Sequence, residues 1–241
     1  MKRIDFLKKA GLSLFTIHAL AACEKESIEA VAGGSDTTMS TSGSTNTSCT
    51  STSSETAGPF PTKSPASLVM KDIRSDRTGV PLIVNITIQN KNKSCEVLPG
   101  AIVDIWHCDK DGYYSEYGGT GLQSRNFRSV HFLRGRQTTN ASGLAAFQTI
   151  FPGWYPGRAP HIHVHIFDAS GKSLLVTQIA FPTDICDHVY TTATKFYTNG
   201  RQNTSNARDG VFADSIANEM SIVSGSIADG YTLTHNIVVS A

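Results

Sequence analysis

The stretch FPGWYPGRAPHIHVHIF, residues Phe151 to Phe167, places three of the chain's eight histidines on alternate positions directly after a Tyr-Pro-Gly-Arg turn. In a β-strand, residues two apart lie on the same face of the sheet. The stretch therefore predicts a strand whose core-facing side chains are Ile162, Val164 and Ile166. The opposite face then carries His161, His163 and His165.

The same period of two recurs along the chain and indicates the fold class. PLIVNITIQ puts Leu82, Val84, Ile86 and Ile88 on one face, and the further alternating segments are GAIVDIWHCD, GLAAFQTI, SLLVTQIAF and GYTLTHNIVVS. Turn and loop residues such as NKNKSCEVLPG and NASG separate these segments. Many short strands of this kind predict an all-β fold, an antiparallel β-sandwich with long loops. One short helix is predicted at Gly210 to Met220, in GVFADSIANEM.

The N-terminal residues predict export. MKRIDFLKKAG is basic and LSLFTIHALAA is an apolar stretch too short to span a bilayer, so residues 1–22 are predicted to be a signal peptide. The ending LAAC is typical of a bacterial lipoprotein, with cleavage before Cys23 and a lipid on that cysteine. An ordinary secretory signal is the alternative. Ile4 stands where a twin-arginine signal has its second arginine, which favours the general export route.

The remaining chain divides into a tether and one domain. Residues 23–55 are rich in Ser, Thr and Gly without apolar periodicity, which predicts a flexible tether, and residues 56–241 form the predicted domain. The expected location is a bacterial membrane, facing periplasm or cell surface, with membrane attachment through the lipid on Cys23. The net charge of +1 and the absence of a basic stripe argue against nucleic-acid binding.

Alternate histidines on one face can bind a single metal ion if further ligands come from elsewhere in the chain. A polar outer face of an edge strand is the alternative. The sequence has no C-x-x-C, H-E-x-x-H, G-x-S-x-G, Walker or dinucleotide-binding motif. It does offer tyrosines: Tyr155 precedes the histidine strand, and DGYYSEYGG supplies Tyr113, Tyr114 and Tyr117.

Several ordered motifs together carry a family resemblance. VDIWHCDKDGYYS (Val103 to Ser115), FLRGRQTTNASGLAAFQTIFPGWYPGRAPHIHVHIF, LLVTQIAF and the opening ETAGPF resemble the intradiol ring-cleavage dioxygenases. This family includes protocatechuate 3,4-dioxygenase and catechol 1,2-dioxygenase, and the similarity is greatest to its exported single-domain branch. The resemblance covers roughly residues 56–241. The helical N-terminal dimerisation region of the catechol 1,2-dioxygenase branch is expected to be replaced here by the Ser/Thr-rich tether, so the oligomeric state stays open.

The resemblance implies a set of site residues. Its four iron ligands correspond to Tyr114, Tyr155, His161 and His163, with Tyr113 as a packing neighbour of Tyr114. The active-site arginine and glutamine of the family correspond to Arg158 and Gln178. Trp154 and Ile105 correspond to wall residues, for which plain packing is the alternative. His165 has no ligand counterpart.

The implied cofactor is Fe(III), and the implied substrates are a catechol and O2. Two phenolates and two neutral imidazoles offset most of the charge of a ferric ion. The implied reaction cleaves the ring between its two hydroxyl-bearing carbons and gives a muconate-type diacid. Tyr155 would also help remove a catechol proton, and Arg158 would offset negative charge on the ring. Only five residues separate Tyr155 from His161, which predicts a more open pocket than in several family members.

The cysteines beyond Cys23 are Cys49, Cys95, Cys108 and Cys186, an even number in a chain predicted to be exported. Disulfides are expected, and three connectivities are open. A bond between Cys95 and Cys108 is disfavoured by the length of the intervening strand. His107 is expected to be a buried structural histidine because its period-two neighbours Val103 and Ile105 are apolar.

Two other classes of protein compete with the enzyme. One is a non-catalytic β-sandwich binding module of the transthyretin-like or carbohydrate-binding kind. The other is a metal-binding or copper-binding lipoprotein that uses the histidines without the tyrosines. Neither class needs Tyr114, Tyr155, Arg158 and Gln178 together.

Overall fold

A computed structural model describes residues 49–119 and 121–241. The predicted signal peptide, Cys23 and most of the predicted tether lie outside these residues. Within them, no helix is both long and apolar enough to cross a membrane.

The described residues form a two-sheet β-sandwich with one α-helix, as predicted. The strands are β1 Pro81–Asn90, β2 Glu96–Val97, β3 Ile102–Trp106, β4 Arg134–Thr138, β5 Leu144–Ile150, β6 His161–Phe167, β7 Ser173–Ala180, β8 Ile222–Ser226 and β9 Gly230–Val239. The helix α1 spans Thr183–Thr192.

One sheet has four strands in the order β4-β3-β6-β7, and all neighbours in it are antiparallel. The second sheet has five strands: β9 lies between β1 and β8, while β5 and β2 pair with successive parts of the other edge of β1. β1 and β9 are parallel, with Leu82 opposite Tyr231 and Asn90 opposite Val239. The sandwich is therefore not purely antiparallel, because the last strand returns beside the first in the same direction.

The core lies between the two sheets and is built by the predicted alternation. In β1, Leu82, Val84, Ile86 and Ile88 are buried, and in β6 the core residues are Ile162, Val164 and Ile166. Burying each such side chain contributes about 1.5–3 kcal/mol. The histidines of β6 consequently lie on the outer face of the four-stranded sheet, not between the sheets.

Strand β4 could not be found from apolar alternation. Its sequence RGRQT contains no large apolar residue, and Gly135 is closely packed, since a Cβ there would lie 2.4 Å from Ile73 Cγ2. The strand β8, IVSGS, is also irregular, and Ile222 in it is 74% exposed. Both strands are defined by their pairing with a neighbour rather than by their own pattern.

The predicted position of the helix is wrong. Residues 210–220 form turns and a short 3-10 helix, Ile216–Asn218, partly because the Asp209 carboxylate accepts a hydrogen bond from the Val211 backbone N–H at 3.0 Å. The helix lies instead at Thr183–Thr192, where Cys186, Val189 and Tyr190 are buried on one face. Its threonines, isoleucine and valine have low helix propensity, which hid it in the sequence.

One disulfide joins Cys49 to Cys95, and Cys108 and Cys186 are buried free thiols. The expectation of a disulfide is confirmed for one pair, and the expectation that all four cysteines pair is wrong. Residues 49–63, here called the N-terminal strap, run along the domain from this disulfide. The Thr52 backbone N–H donates to the Val238 carbonyl at 3.0 Å, and that of Glu55 donates to the Val176 carbonyl at 2.8 Å.

Candidate metal centre

The candidate site lies on the outer face of the four-stranded sheet, where strand register builds one row of side chains. His163 on β6 is opposite Trp106 on β3 and Gln178 on β7, and Trp106 is opposite Arg134 on β4. The indole of Trp106 stacks on the His163 imidazole with 4.9 Å between centroids and 2° between planes. Main-chain pairing thus places Trp106 beside His163, and the stack between their rings holds the orientation of the imidazole.

Three segments from outside the sheet cover this row. The loop after β3 supplies Tyr114, whose backbone N–H and carbonyl both bond the amide group of Gln123 at 2.7 and 2.8 Å. The loop before β6 supplies Tyr155. The N-terminal strap contributes Phe60, whose ring stacks on Tyr114 at 4.9 Å, and Gly58, which lies against His163.

The four residues predicted as metal ligands converge. His161 Nε2 lies 3.1 Å from His163 Nε2, 3.4 Å from Tyr114 Oη and 3.3 Å from Tyr155 Oη. Ligands bound to one ion at about 2.0–2.2 Å, and about 90–110° apart, lie about 3.0–3.5 Å from each other. The spacing of the donors thus fits a single ion among them.

The histidine tautomers support the same conclusion. His161 Nδ1 lies 2.6 Å from the carbonyl oxygen of Ala159, which can only accept, so Nδ1 carries the hydrogen and Nε2 presents a lone pair. His163 Nδ1 is buried and has no hydrogen-bond partner among the described residues. No protein acceptor fixes the tautomer of His163; with the hydrogen on Nδ1, its Nε2 would present a second lone pair to the same point. A cation there satisfies both Nε2 atoms.

Burial sets the charges of the four groups. Desolvation raises the pKa of Tyr114 well above its usual range and that of Tyr155 to about 12. Desolvation, with the nearby Arg158 guanidinium as the second cause, lowers the pKa of His161 to about 3, and burial also lowers that of His163. All four groups are therefore neutral at pH 7 without a cation. A strongly charged cation is needed to displace the phenolic protons.

The donor set selects the kind of metal. Among residues 49–119 and 121–241, no group of three or more His, Cys, Asp or Glu side chains is arranged to hold a metal ion. Of the four converging residues, two are histidines and two are tyrosines. Phenolates are hard anionic donors, which match a ferric ion rather than zinc or copper(I).

Arg158 and Gln178, predicted from the resemblance, are brought together beside the ligands. Arg158 Nε donates to the carboxylate of Asp209 at 2.9 Å, and its Nη2 donates to Gln178 Oε1. Asp209 is fully buried and also accepts from the Ala159 backbone N–H at 2.7 Å. Gln178 Nε2 donates to the Thr56 carbonyl at 2.9 Å, which links this pair to the N-terminal strap.

The other residues singled out in the sequence lie away from the ligands. His165 Nε2 hydrogen-bonds Ser173 Oγ at 2.8 Å at the protein surface. Ile105 packs in the core, not in a pocket wall. His107 is buried with both ring nitrogens bonded within the protein, to Thr149 Oγ1 at 2.7 Å and to the Cys108 carbonyl at 2.8 Å, as its structural interpretation predicted.

A cleft of about 610 Å³ opens next to Tyr155. Its walls include the aromatic rings of Phe60, Tyr113 and Trp154, together with Leu122 and the cationic side chain of Arg125. Trp154 is held by a 2.8 Å hydrogen bond from Nε1 to the Gly200 carbonyl. Trp154 lines this cleft and also packs against the core, so its role as a wall residue of the site stays a prediction.

Some residues of the site had no distinct signal in the sequence. Asp209 lies in NARDGVF, where nothing separates a buried carboxylate from a surface one. Gly58 could have been suspected from its place in the TAGPF motif. Its φ of +66° is in the left-handed region, and a Cβ would lie 3.0 Å from His163 Cε1.

A family model described as Dioxygenase, Dioxygenase_C, matches residues 58–221. The fold, the converging ligand set and this match agree. The chain belongs to the intradiol ring-cleavage dioxygenase family.

Among solved structures, the chain is similar to an intradiol ring-cleavage dioxygenase from Tetranychus urticae, with 28% identity and a TM-score of 0.71, covering 80% of this chain and 95% of that chain. It is also similar to the dioxygenase domain of a dioxygenase carbohydrate-binding protein fusion from Streptomyces sp. SirexAA-E, with 26% identity and a TM-score of 0.58, over 80% of this chain and 99% of that one.

Among curated relatives, chlorocatechol 1,2-dioxygenase of Rhodococcus opacus is 30% identical over 55% of this chain and 57% of its own length. Catechol 1,2-dioxygenase 1 of Acinetobacter lwoffii is 28% identical over 43% of this chain and 37% of its own length. The matched part thus spans between about a third and three fifths of these relatives.

Proposed function

We propose that the protein is an Fe(III)-dependent intradiol dioxygenase that cleaves a catechol-type ring with O2 between its two hydroxyl-bearing carbons, giving a muconate-type diacid. The observation that carries the proposal is the convergence of two phenol oxygens on His161 Nε2, 3.1 Å from a second imidazole nitrogen. Tyr114, Tyr155, His161 and His163 would hold the metal.

A ferric ion held by these residues supplies Lewis acidity to both oxygens of a bound catechol. The protein supplies the surroundings. Tyr114 and His163 are almost inaccessible to solvent, so water is excluded from one side of the site. Tyr155 is less buried and lines the cleft, so substrate approaches from that side.

Tyr155 is the proposed proton acceptor. Burial, opposed by the Arg158 guanidinium, raises its pKa to about 12, so without a cation Tyr155 is a neutral phenol. As the phenolate that a bound cation would maintain, Tyr155 Oη would be basic enough to take a proton from a catechol hydroxyl that enters through the cleft. Tyr114, deeper and held by Gln123, remains in place.

Arg158 is the proposed electrostatic residue. Its guanidinium is fixed on two sides, by the buried Asp209 carboxylate and by Gln178. A fixed cation in a water-poor site stabilises negative charge on the substrate ring without reorganising during the reaction. Gln178 orients Arg158, and through Thr56 it depends on the N-terminal strap.

The substrate class is proposed from the relatives and from the cleft. The curated relatives are named for catechol and chlorocatechol. The cleft of about 610 Å³, with aromatic walls, leaves space beyond a single ring, which supports substituted catechols as substrates. Turnover of unsubstituted catechol alone in a substrate panel would contradict this part of the proposal.

The direct test is the visible spectrum of the purified protein loaded with ferric iron, followed by oxygen uptake on adding catechol, protocatechuate, hydroxyquinol or an aryl-substituted catechol. A tyrosinate-to-iron charge-transfer band and uptake of one O2 per substrate are expected. Tyr114→Phe should lose most of the band and the bound iron. Tyr113→Phe, one residue away, is the matched control and should keep both.

The same experiment separates the other two classes. A binding module would take up no iron and show no band. A lipoprotein that binds metal through histidines alone would keep its metal in Tyr114→Phe. Either result would overturn the enzymatic proposal.

We also propose that the protein is exported and attached to a bacterial membrane by a lipid on Cys23, facing periplasm or cell surface. The support is the LAAC segment and the disulfide between Cys49 and Cys95, since disulfides persist in oxidising compartments. Metabolic labelling with a clickable fatty acid should mark the wild type in the membrane fraction. Cys23→Ser should remain unlabelled, and labelling of that variant would contradict the anchor.

A further inference from the structure

Arg134 is a fully buried cation on the same sheet face as the candidate metal centre, and it joins two chain segments. Its Nε and Nη2 donate to Oγ and to the carbonyl of Ser115, at 2.8 and 2.7 Å. Its Nη1 donates to the Phe60 carbonyl at 2.9 Å and to Thr62 Oγ1 at 3.1 Å. One guanidinium thus bonds the N-terminal strap and the loop that carries Tyr114.

These two segments also carry two stacked rings. Phe60, whose carbonyl Arg134 binds, stacks on Tyr114 with 4.9 Å between ring centroids. Ser115, bound by Arg134 through two atoms, directly follows Tyr114. The guanidinium carbon lies 5.9 Å from the centre of the Tyr114 ring. Arg134 therefore fixes the main chain on both sides of the stack that holds the phenol in place.

We propose that Arg134 is a positioning residue that locks the strap onto the Tyr114 loop and thereby sets the position and charge environment of the Tyr114 phenol. The effect of Arg134 on metal binding rests on the proposed function. The attachment of the strap over the site by Arg134 does not depend on that function.

The carboxylate of Glu116 contributes further contacts between the strap and the Tyr114 loop. It lies 3.8 Å from Arg134 Nε and is almost fully buried. Its Oε2 accepts from the Lys63 backbone N–H at 2.8 Å, and its Oε1 contacts His131 Nδ1 at 2.8 Å. The Lys63 ammonium also donates to the Glu116 carbonyl at 2.8 Å. The strap and the Tyr114 loop are therefore joined a second time, and the buried guanidinium has a counter-charge.

The arrangement requires arginine specifically. The planar guanidinium has five N–H groups in a fixed fork, and four contacts here lie on two different segments. A lysine ammonium offers its donors from a single atom and cannot reproduce the fork of four contacts that the guanidinium makes with the two segments. Arg134→Lys is accordingly expected to behave almost like Arg134→Met.

Arg136 provides the matched control. It lies two residues along the same strand and forms a bidentate pair with Asp104 at 2.5 and 2.7 Å, but it bonds neither the strap nor the Tyr114 loop among the contacts described. Arg136→Met removes a comparable ion pair from the same sheet. It should lower thermal stability without changing the candidate site.

The test combines hydrogen exchange of the metal-free protein with titration by ferric citrate. In Arg134→Met, amide protection at residues 56–63 should fall, the charge-transfer band should shift, and the affinity for ferric iron should drop about 10- to 100-fold, as is typical when a residue supporting a ligand is lost. Arg136→Met should keep the band, the affinity and the protection. Unchanged values in Arg134→Met, or equal changes in both variants, would overturn the proposal.

Two further outcomes are distinguishable. If the wild type binds no ferric iron, the proposed function fails, whereas the exchange comparison still decides whether Arg134 locks the strap. If Arg134→Met does not fold, Thr62→Val replaces it, since this change removes only one of the four contacts. A smaller loss of protection and a smaller band shift in the same direction support the proposal, and no change in either contradicts it.

Discussion

Two neighbouring rows of side chains cross the outer face of the four-stranded sheet, and each contains an arginine and a histidine. The first row is Arg134, Trp106, His163 and Gln178, and the second is Arg136, Asp104, His165 and Val176. The first is buried beneath the N-terminal strap and two loops. In the second, the His165 ring is partly exposed, hydrogen-bonds the surface residue Ser173 and stacks on Phe167 with 3.9 Å between ring centroids.

This difference shows that the alternation of histidines fixes the face but not the role. His163 and His165 have the same neighbours in sequence, an isoleucine or valine on each side. What separates them is the cover supplied by segments distant in sequence: Gly58 and Tyr114 lie against His163, and Tyr155 contacts the neighbouring His161. Changes to that cover, or to the residues beneath it, should therefore affect the two rows differently.

The largest effect is expected for the two histidines themselves. His163→Gln should reduce affinity for ferric iron by more than about 100-fold, because it removes a ligand nitrogen. This loss is larger than the loss expected when a residue that only supports a ligand is replaced. His165→Gln should leave iron content and the visible band unchanged. Iron stoichiometry after gel filtration measures both, and loss of iron in His165→Gln would abolish the distinction between the rows.

The next effect concerns the disulfide at the start of the strap. Replacing Cys49 and Cys95 together by Ala should lower the free energy of unfolding by about 2–4 kcal/mol, because the bond closes a loop with a sequence separation of 46. Urea unfolding measures it. A reductant should destabilise the wild type and leave the double variant unchanged, and equal reductant sensitivity would point to another cause.

A third effect is a pH-dependent change in stability, which arises where Glu55 of the strap contacts Ser215. Ser215 Oγ lies 3.1 Å from Glu55 Oε1 and 2.8 Å from Glu219 Oε2. The hydroxyl has one hydrogen, so both contacts are hydrogen bonds only when one carboxyl is protonated. Burial raises the pKa of Glu219 from 4.5 to about 7, with Glu55 as a further cause.

The raised pKa of Glu219 makes the free energy of unfolding depend on pH. The folded state binds more protons than the unfolded state between pH 4.5 and about 7, so stability falls as pH rises through this window. Glu219→Gln should remove about 1–3 kcal/mol of this pH dependence. Unfolding free energies at pH 5 and pH 8 measure it. A wild-type stability that rises with pH relative to the variant would contradict the shared proton.

The smallest effect is expected for Gly58→Ala. Its left-handed backbone costs a non-glycine residue about 1–2 kcal/mol, and its Cβ would press on His163. Gly171→Ala is the control, since it has a φ of +87° and no atom within 4 Å of its Cβ. Both should lose similar stability, but only Gly58→Ala should shift the visible band. A shift in both variants would contradict the prediction, because the band shift would then not depend on the contact between Gly58 and His163.

Much of the sandwich could be predicted from the sequence because apolar alternation is a local property. Strands β1 and β6 and their buried faces were predicted for this reason. Strand β4 could not be, because its arginines satisfy the outer face of the sheet, and neither could α1, whose β-branched residues form a helix only through burial of Cys186, Val189 and Tyr190. The parallel pairing of β1 with β9 depends on the path of the whole chain.

For the site, the identities of the candidate ligands came from the motifs around Tyr114 and His161 and from the resemblance they carry. The sequence by itself determined the residue types, the face on which the histidines lie and the periodicity that builds the core. Only the tertiary structure decided that Tyr114, Tyr155, His161 and His163 meet, that Asp209 fixes Arg158, and that Arg134 joins the strap to the Tyr114 loop. The physical reason is that period and propensity act over a few residues, whereas these contacts join segments tens of residues apart, and their geometry depends on the packing of the complete domain.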